Sequence, residues 1–100
     1  MKIKLPKISS YGNYSCSNYG SHALCVDFGP LTVWFSYTTP VAFQVEGRAR
    51  VVRENSWGPT TGKHLNAIDD GDRKSRVSTE EFERLWSDQV APLLFPEVIA

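Results

Sequence analysis

The sequence lacks most of the features that mark specialised classes of protein. Its 100 residues contain only two cysteines, Cys16 and Cys25, whereas a zinc knuckle needs paired cysteines a few residues apart. No apolar run approaches the roughly 20 residues of a membrane-spanning helix, and no apolar stretch follows the N-terminal lysines. We therefore expect a soluble, cytoplasmic protein that does not interact with membranes. A disulfide between Cys16 and Cys25 would need an oxidising compartment, to which nothing else in the sequence points.

An excess of charge of one sign is also absent, since 11 basic residues balance 11 acidic ones. The charges are unevenly distributed, because residues 48–76 carry seven basic against four acidic groups and residues 77–100 carry one against five. Non-specific nucleic-acid-binding proteins usually contain a strongly basic domain, and this chain does not. Its basic middle is still compatible with a phosphate or nucleic-acid ligand.

The size and pattern of the chain indicate one small globular domain over residues 1–100. With 41% hydrophobic and 22% charged residues, the chain suffices for one hydrophobic core. Alternating apolar and polar residues predict a short edge strand over residues 2–8, and further strands at residues 24–28, 31–38, 41–46 and 49–53. The last four form an antiparallel meander in the simplest topology.

Two helices are expected after the strands. Thr60 or Thr61 is expected to cap a short helix that follows a loop at residues 57–63 and runs to about residue 68. A second helix begins at Ser78 with a capping box and carries an apolar face formed by Phe82, Leu85, Trp86 and Val90. Pro92 is expected to end the regular structure. The predicted fold is α+β, an antiparallel sheet of about four strands with the C-terminal helix packed on one face.

The segment WGPTTGKHL at residues 57–65 has the composition of a phosphate-binding loop without its spacing. A P-loop follows the pattern GxxxxGK with Ser or Thr next, whereas here three residues separate Gly58 from Gly62 and His64 follows Lys63. This departure excludes nucleotide hydrolysis of the P-loop kind. Anion binding remains compatible, through two Thr hydroxyls, the Lys63 charge and a stacking face on Trp57. The alternative is a structural connection between sheet and helix, in which Trp57 covers the edge of the core.

A second candidate region is the segment of residues 11–22, which is rich in Tyr, Ser, Asn and Gly. This mixture is typical of recognition surfaces, and Tyr14 and Tyr19 are its candidate binding residues. Alternatively, one or two of the tyrosines pack on the sheet and the rest is a solvated turn. We expect this segment and Arg48, Arg50 and Arg53 to form one wall of a site that faces the motif at residues 57–65.

Catalysis and metal binding have little support in the sequence. Neither histidine stands within a local signature of Cys–His catalysis, and Cys25 lies in an apolar strand, where a buried thiol is usually inert. Asp69, Asp70 and Asp72 resemble part of a calcium loop but lack its remaining ligand spacing and closing Glu, so we expect turn residues. The sequence therefore predicts a protein that is not an enzyme and has no metal or cofactor.

Three segments resemble a family of small uncharacterised domains encoded by phages and prokaryotes: GNYS (residues 12–15), SYTTPVAF (36–43) and RENSWGPTTGKHL (53–65). The resemblance covers about residues 10–86 and implies a nucleic-acid accessory protein or an inhibitor of a host defence system. Because the last segment begins at Arg53 and includes Asn55, the resemblance also implies that the site reaches the end of the strand predicted at residues 49–53.

We therefore expect a non-enzymatic, phage-type binding protein of the host-cell cytoplasm that recognises nucleic acid, a nucleotide or another phosphorylated small molecule. The alternative is an inhibitor of the anti-CRISPR kind, which binds a host protein through the tyrosine-rich segment or the acidic helix face. The expected ligand-binding residues are Arg50, Arg53, Asn55, Trp57, Thr60, Thr61, Lys63, His64, Tyr14 and Tyr19.

Overall fold

The computed structural model describes residues 6–11 and 23–94, with the side chains of Pro59 and Thr60 excepted. Within these residues the fold is α+β, as predicted, and the sheet has five antiparallel strands in sequence order. The strands are β1 (Lys7–Ser10), β2 (Ala23–Asp27), β3 (Leu31–Ser36), β4 (Thr39–Val45) and β5 (Val51–Val52). The sheet thus contains one strand more than the four-stranded meander, and the additional strand is the N-terminal edge strand β1.

The strand boundaries differ from the prediction by one or two residues in β2, β3, β4 and β5 and by more in β1. The edge strand lies at Lys7–Ser10 instead of residues 2–8, of which 1–5 fall outside the described part of the chain. Strand β3 ends at Ser36 because Tyr37 has a φ of 57°, which belongs to a tight turn and not to a strand. Strand β5 spans only two residues, since its ladder pairs Val51 and Val52 with two residues of β4.

A β-bulge shapes the middle of the sheet. Trp34 lies opposite Ala42 while Phe35 lies opposite Pro40, so Val41 is an extra residue in β4. Pro40, which the sequence suggested as a break before this strand, is inside it because a bulge tolerates a residue without an N–H. As a consequence, Val41 and Ala42 are both buried in the same cluster on one face.

The helical part contains α1 (Pro59–Asp69), a 3₁₀ turn (Arg73–Ser75), α2 (Thr79–Leu85), a π-helical turn (Trp86–Val90) and α3 (Ala91–Leu94). The predicted cap of α2 is confirmed, because Ser78 Oγ accepts the Glu81 N–H at 3.2 Å. Between α1 and α2, Val77 forms a parallel bridge with Arg53 and thereby extends the sheet beyond β5.

The two helical regions cover opposite faces of the sheet. Helix α1 contributes Leu65 and Ile68 to one apolar cluster with Val41, Ala42 and Val52. Helix α2 and the π-helical turn contribute Phe82 and Val90 to the other, with Leu31, Val33, Phe43 and Val45. The prediction that the C-terminal helix packs on one face is confirmed. Each fully buried side chain of this kind contributes about 1.5–3 kcal/mol to stability.

Pro92 does not end the regular structure, contrary to the prediction. It lies inside α3, which continues to Leu94. Proline normally breaks a helix because it lacks an N–H and its ring crowds the preceding turn. Here the wider π-helical turn precedes it, in which the Ala91 N–H donates to Trp86 O, five residues back. Leu93 and Leu94 pack against the core, while Phe95 lies outside the described residues.

None of the helices in the described part of the chain combines the length and the apolar character needed to cross a membrane.

Candidate functional site

The motif at residues 57–65 is mostly helix and not loop. Helix α1 begins at Pro59 with Gly58 as its N-cap, two or three residues before the Thr caps that the sequence suggested. Proline is favoured at the first helical position because its missing N–H would have no partner there. The N-cap Gly58 has no side chain that could cap this helix, and the first turn contains no acidic residue. The positive end of the helix dipole is therefore uncompensated beside Trp57.

One side of α1 is buried on the sheet. Thr61, His64, Leu65 and Ile68 are buried at helical spacings of three and four residues. Ser36 Oγ lies 2.6 Å from His64 Nδ1 and 3.1 Å from Thr61 Oγ1, so the three side chains form a buried hydrogen-bonded group. The structure therefore places the expected ligand residues His64 and Thr61 against the sheet, whereas Lys63 is exposed.

A small cavity opens beside this buried group, and we call it the aromatic cleft. Its volume is 190 Å³, and its lining residues are Ser36, Tyr37, Thr39, Val41, Trp57 and Thr61. Tyr37 and Trp57 are 45% and 43% exposed, although large hydrophobic side chains on a protein surface are usually more covered when they only serve packing. The cleft thus joins two half-exposed aromatic rings to a wall of hydroxyl groups.

Trp57 is held in place by two other predicted site residues. The guanidinium carbon of Arg53 lies 4.6 Å from the centre of the Trp57 ring and 5.1 Å from that of Phe82, and its Nη2 donates to Thr79 Oγ1 at 3.1 Å. Asn55 Oδ1 accepts the Trp57 N–H at 2.9 Å, while its Nδ2 donates to Gly58 O at 3.3 Å. Arg53 therefore holds the ring of Trp57, and Asn55 holds its backbone.

The remaining predicted residues do not join this cleft. The guanidinium carbon of Arg50 lies 6.0 Å from the centre of the Trp34 ring. The charge of Arg50 also helps to lower the pKa of Asp69, which lies at the C-terminal end of α1. The wall expected from residues 11–22 with Arg48, Arg50 and Arg53 stays a prediction, because residues 12–22 lie outside the described part of the chain. Tyr14, Tyr19 and the side chain of Thr60 lie outside the described part of the chain.

The sequence reasoning missed Ser36, Tyr37 and Thr39 as lining residues. The prediction extends β3 through residue 38, which would make Tyr37 a strand residue. In the structure Ser36 ends β3, Thr39 begins β4, and Tyr37 lies in the tight turn between them, with a left-handed φ that is uncommon for a bulky residue. The available signal was the segment SYTTPVAF, which carried part of the resemblance but not a predicted role.

A second cavity lies on the other side of the start of α1, and we call it the polar cavity. It has a volume of 310 Å³ and is lined by Glu54, Asn55, Gly62, Asn66, Arg73 and Arg76. Its inner wall is fixed by Arg76, whose Nε and Nη2 donate to the two Asp69 carboxylate oxygens at 2.6 and 2.8 Å. Arg76 Nη2 also donates to Asn66 Oδ1 at 3.0 Å.

The ion pair shifts the titration of both partners. Burial alone would raise the pKa of the Asp69 carboxyl, but the hydrogen bonds and charge of Arg76, the Gly71 N–H and the charge of Arg50 outweigh it, so the pKa is lowered. The hydrogen bond to Asp69 correspondingly raises the pKa of Arg76. Asp69 is thus an ionised structural residue, and Asp70 ends α1 in the left-handed conformation.

Two further observations concern the thiol and the possible metal ligands of the described residues. Burial, together with the nearby charge of Asp27, raises the pKa of the Cys25 thiol, which disfavours the nucleophilic thiolate. Within the described ranges, no three His, Cys, Asp or Glu side chains cluster as a metal site would require. The geometry therefore directs attention to the two cavities beside α1.

Comparison with known proteins identifies a family but not a function. The model of a family described as "Family of unknown function (DUF8033)" matches residues 3–84. Neither a curated protein nor a solved structure matches the chain. Because the match extends over more than half of its residues, the chain belongs to this family of unknown function, DUF8033.

Proposed function

We propose that this protein is a non-enzymatic, phage-type binding protein that recognises nucleic acid or a nucleotide by inserting a base into the aromatic cleft. The observation that carries the proposal is the placement of Tyr37 and Trp57. They are two of the three large hydrophobic side chains exposed in the described residues, and both line the same cavity. Aromatic side chains that present open faces are the usual platforms for unpaired bases.

The size of the cleft suits part of a ligand. Whole small-molecule pockets usually measure about 300–1,000 Å³, whereas this cleft measures 190 Å³. One aromatic ring fits such a space while the rest of the ligand remains outside. The hydroxyl of Thr39 offers a hydrogen bond to the polar edge of that ring, whereas the Ser36 and Thr61 hydroxyls already bond to each other and Ser36 also bonds to His64.

The electrostatics favour a ligand that carries phosphate. The uncapped N-terminus of α1, without acidic residues in its first turn, lies beside Trp57 and favours negative charge. Lys63 adds a positive charge in the second turn. In this arrangement a base stacks on Trp57 and its phosphate lies near the start of the helix, which retains anion recognition without the P-loop chemistry of hydrolysis.

The backbone at Tyr37 supports a binding role over a packing role. A left-handed conformation costs a non-glycine residue roughly 1–2 kcal/mol, and glycine would avoid this cost at the same turn position. Strained residues of this kind concentrate at functional sites, where the strain holds a side chain in a required place. Here it holds one aromatic wall of the cleft.

The test is the affinity of the purified protein for a fluorescent single-stranded oligothymidylate, measured by anisotropy. Loss of one stacked base costs about 1–3 kcal/mol, so Trp57→Ala should weaken binding about 5- to 150-fold and Trp57→Phe should weaken it less. The matched control is Ile8→Ala. It removes the third large hydrophobic side chain that is exposed among the described residues, which is 66% exposed and lies on the edge strand β1. Equal effects of Trp57→Ala and Ile8→Ala would refute the cleft as the binding site.

A second candidate function is a phage-encoded inhibitor of a host defence system, anti-CRISPR-like, that acts by binding a host protein in the host-cell cytoplasm. The observation that favours it is strand β1, whose four residues are all exposed and include Ile8. Among the described residues β1 pairs only with β2, so its outer edge is open to a strand of a partner protein. This function predicts that Ile8→Ala weakens capture of the host protein while Trp57→Ala does not.

A further inference from the structure

The polar cavity is lined by two exposed, charged side chains of opposite sign that have no side-chain hydrogen-bond or ion-pair partner among the described residues. The Glu54 carboxylate and the Arg73 guanidinium make no hydrogen bond or ion pair with any described residue, although both line the same 310 Å³ space. Most other charged groups around them are used, since Arg76 is held by Asp69 and Asn66. A ligand that fits this cavity must therefore donate hydrogen bonds on one side and accept them on the other.

Hydrogen bonds within the chain hold part of the remaining cavity wall in place. Asn55 is fixed by its two hydrogen bonds to Trp57 N–H and Gly58 O, and the buried Arg76–Asp69 pair fixes the opposite wall. Gly62 supplies the space between them, because a Cβ at this position would approach Asn55 Nδ2 to 3.2 Å. Preorganised walls reduce the entropy cost of ligand binding, so the cavity is suited to one defined group.

The charge of Glu54 selects the kind of group. The Glu54 carboxylate repels phosphate while the Arg73 guanidinium attracts it, so the pair is matched better by the edge of a base, which both donates and accepts hydrogen bonds, than by a phosphate. Guanine presents two adjacent donors, N1–H and the N2 amine, to a carboxylate, and two acceptors, O6 and N7, to a guanidinium. No other standard base offers a pair of neighbouring donors together with a pair of neighbouring acceptors for both groups.

We propose that the polar cavity is a guanine-binding pocket for the nucleotide next to the base in the aromatic cleft. The inference rests on the proposed function for the approach of a nucleotide strand. Thr61 lines the cleft and Gly62 lines the polar cavity, so the two spaces flank the first turns of α1. A single strand that crosses the start of the helix places neighbouring bases on either side, with Glu54 and Arg73 as the residues that determine specificity.

The test compares three fluorescent oligothymidylates that contain a single guanine, hypoxanthine or adenine, by anisotropy with the whole chain. Each bidentate contact discriminates by about 5- to 150-fold, so guanine should bind at least about fivefold tighter than adenine, with hypoxanthine between them because it lacks the N2 amine. Glu54→Gln should abolish the difference in affinity between the guanine and hypoxanthine oligonucleotides. Arg73→Ala should abolish the higher affinity of both relative to the adenine oligonucleotide. The matched control is Lys74→Ala, which removes an exposed charge of the same 3₁₀ turn outside the cavity and should preserve the preference.

The possible outcomes separate this inference from the proposed function. Equal affinity for the three oligonucleotides, or a guanine preference that survives both Glu54→Gln and Arg73→Ala, overturns the guanine pocket. If binding in that case still depends on Trp57, the proposed function stands. If Trp57→Ala changes neither the affinity nor the preference for guanine, the guanine pocket is supported and the aromatic cleft is overturned. Absence of binding to all three oligonucleotides overturns both.

Discussion

The ion pair between Asp69 and Arg76 should be the most destabilising place to remove a single charge. Only 3% of the Asp69 side chain and 5% of the Arg76 side chain are exposed, and two hydrogen bonds of 2.6 and 2.8 Å join them. Removing one partner of such a buried pair costs about 3–5 kcal/mol, because the remaining charge stays buried without compensation. Domains of this size are stable by about 5–15 kcal/mol, so Asp69→Asn should remove a large part of the total.

Urea denaturation followed by circular dichroism measures this loss as a lower midpoint. The matched control is Asp72→Asn, which neutralises an exposed carboxylate in the turn that follows α1 and should change the midpoint far less. The pair also connects the end of α1 to the segment that adds Val77 to the sheet, so the loss should be cooperative and not confined to one helix. A cost for Asp69→Asn no larger than that of Asp72→Asn would refute the reasoning.

The same pair predicts the direction of the pH dependence. The pKa of Asp69 is lowered in the folded state, relative to an unfolded value of about 3.9. The contribution of this carboxylate is therefore complete above about pH 4 and is lost as the pH falls through the folded pKa. The wild-type protein should lose this part of its free energy of unfolding in acid, whereas Asp69→Asn should not. Parallel plots of the free energy of unfolding against pH for the two proteins would contradict the role of Asp69.

Two further predictions concern Tyr37 and Cys25. At the left-handed position of Tyr37, Tyr37→Gly should be about 1 kcal/mol more stable than Tyr37→Ala in urea, because only Ala retains the backbone strain, and both should weaken oligonucleotide binding; equal stability of the two variants would remove the argument from strain. In a Cys16→Ser background, Cys25 should react with iodoacetamide at neutral pH more slowly than a free thiol in solution, because burial and Asp27 raise its pKa. Faster alkylation would show that the thiol is activated instead.

The sequence was sufficient to predict the class and order of most elements. Period-two alternation located β2, β3 and β4, and the capping box at Ser78 located the start of α2, because both signals are local. The bulge at Val41 and the π-helical turn before Pro92 depend on how strands and helices pack, and neither leaves a local signature. The predictions failed at those two places for this reason.

The candidate site was predictable only in part. Trp57 proved to line the aromatic cleft as an exposed ring, and Arg53 and Asn55 proved to support it. The sequence predicts a loop around His64 and therefore an accessible side chain, but the helical spacing of His64, Leu65 and Ile68 puts it on the buried face of α1. Tyr37 could not be found from its type alone, since its exposure follows from the turn conformation between two strands.

The most direct test of the central claim is an NMR titration of the ¹⁵N-labelled protein with a guanine-containing oligothymidylate. We predict that the resonances of the Trp57 indole N–H and of the backbone amides of Tyr37 and Thr61 shift together. The backbone amides of Glu54 and Arg73 should shift over the same range of ligand concentration, while the amide of Ile8 on β1 should not shift. Shifts confined to β1, or no shift at the aromatic cleft at saturating oligonucleotide, would contradict the account.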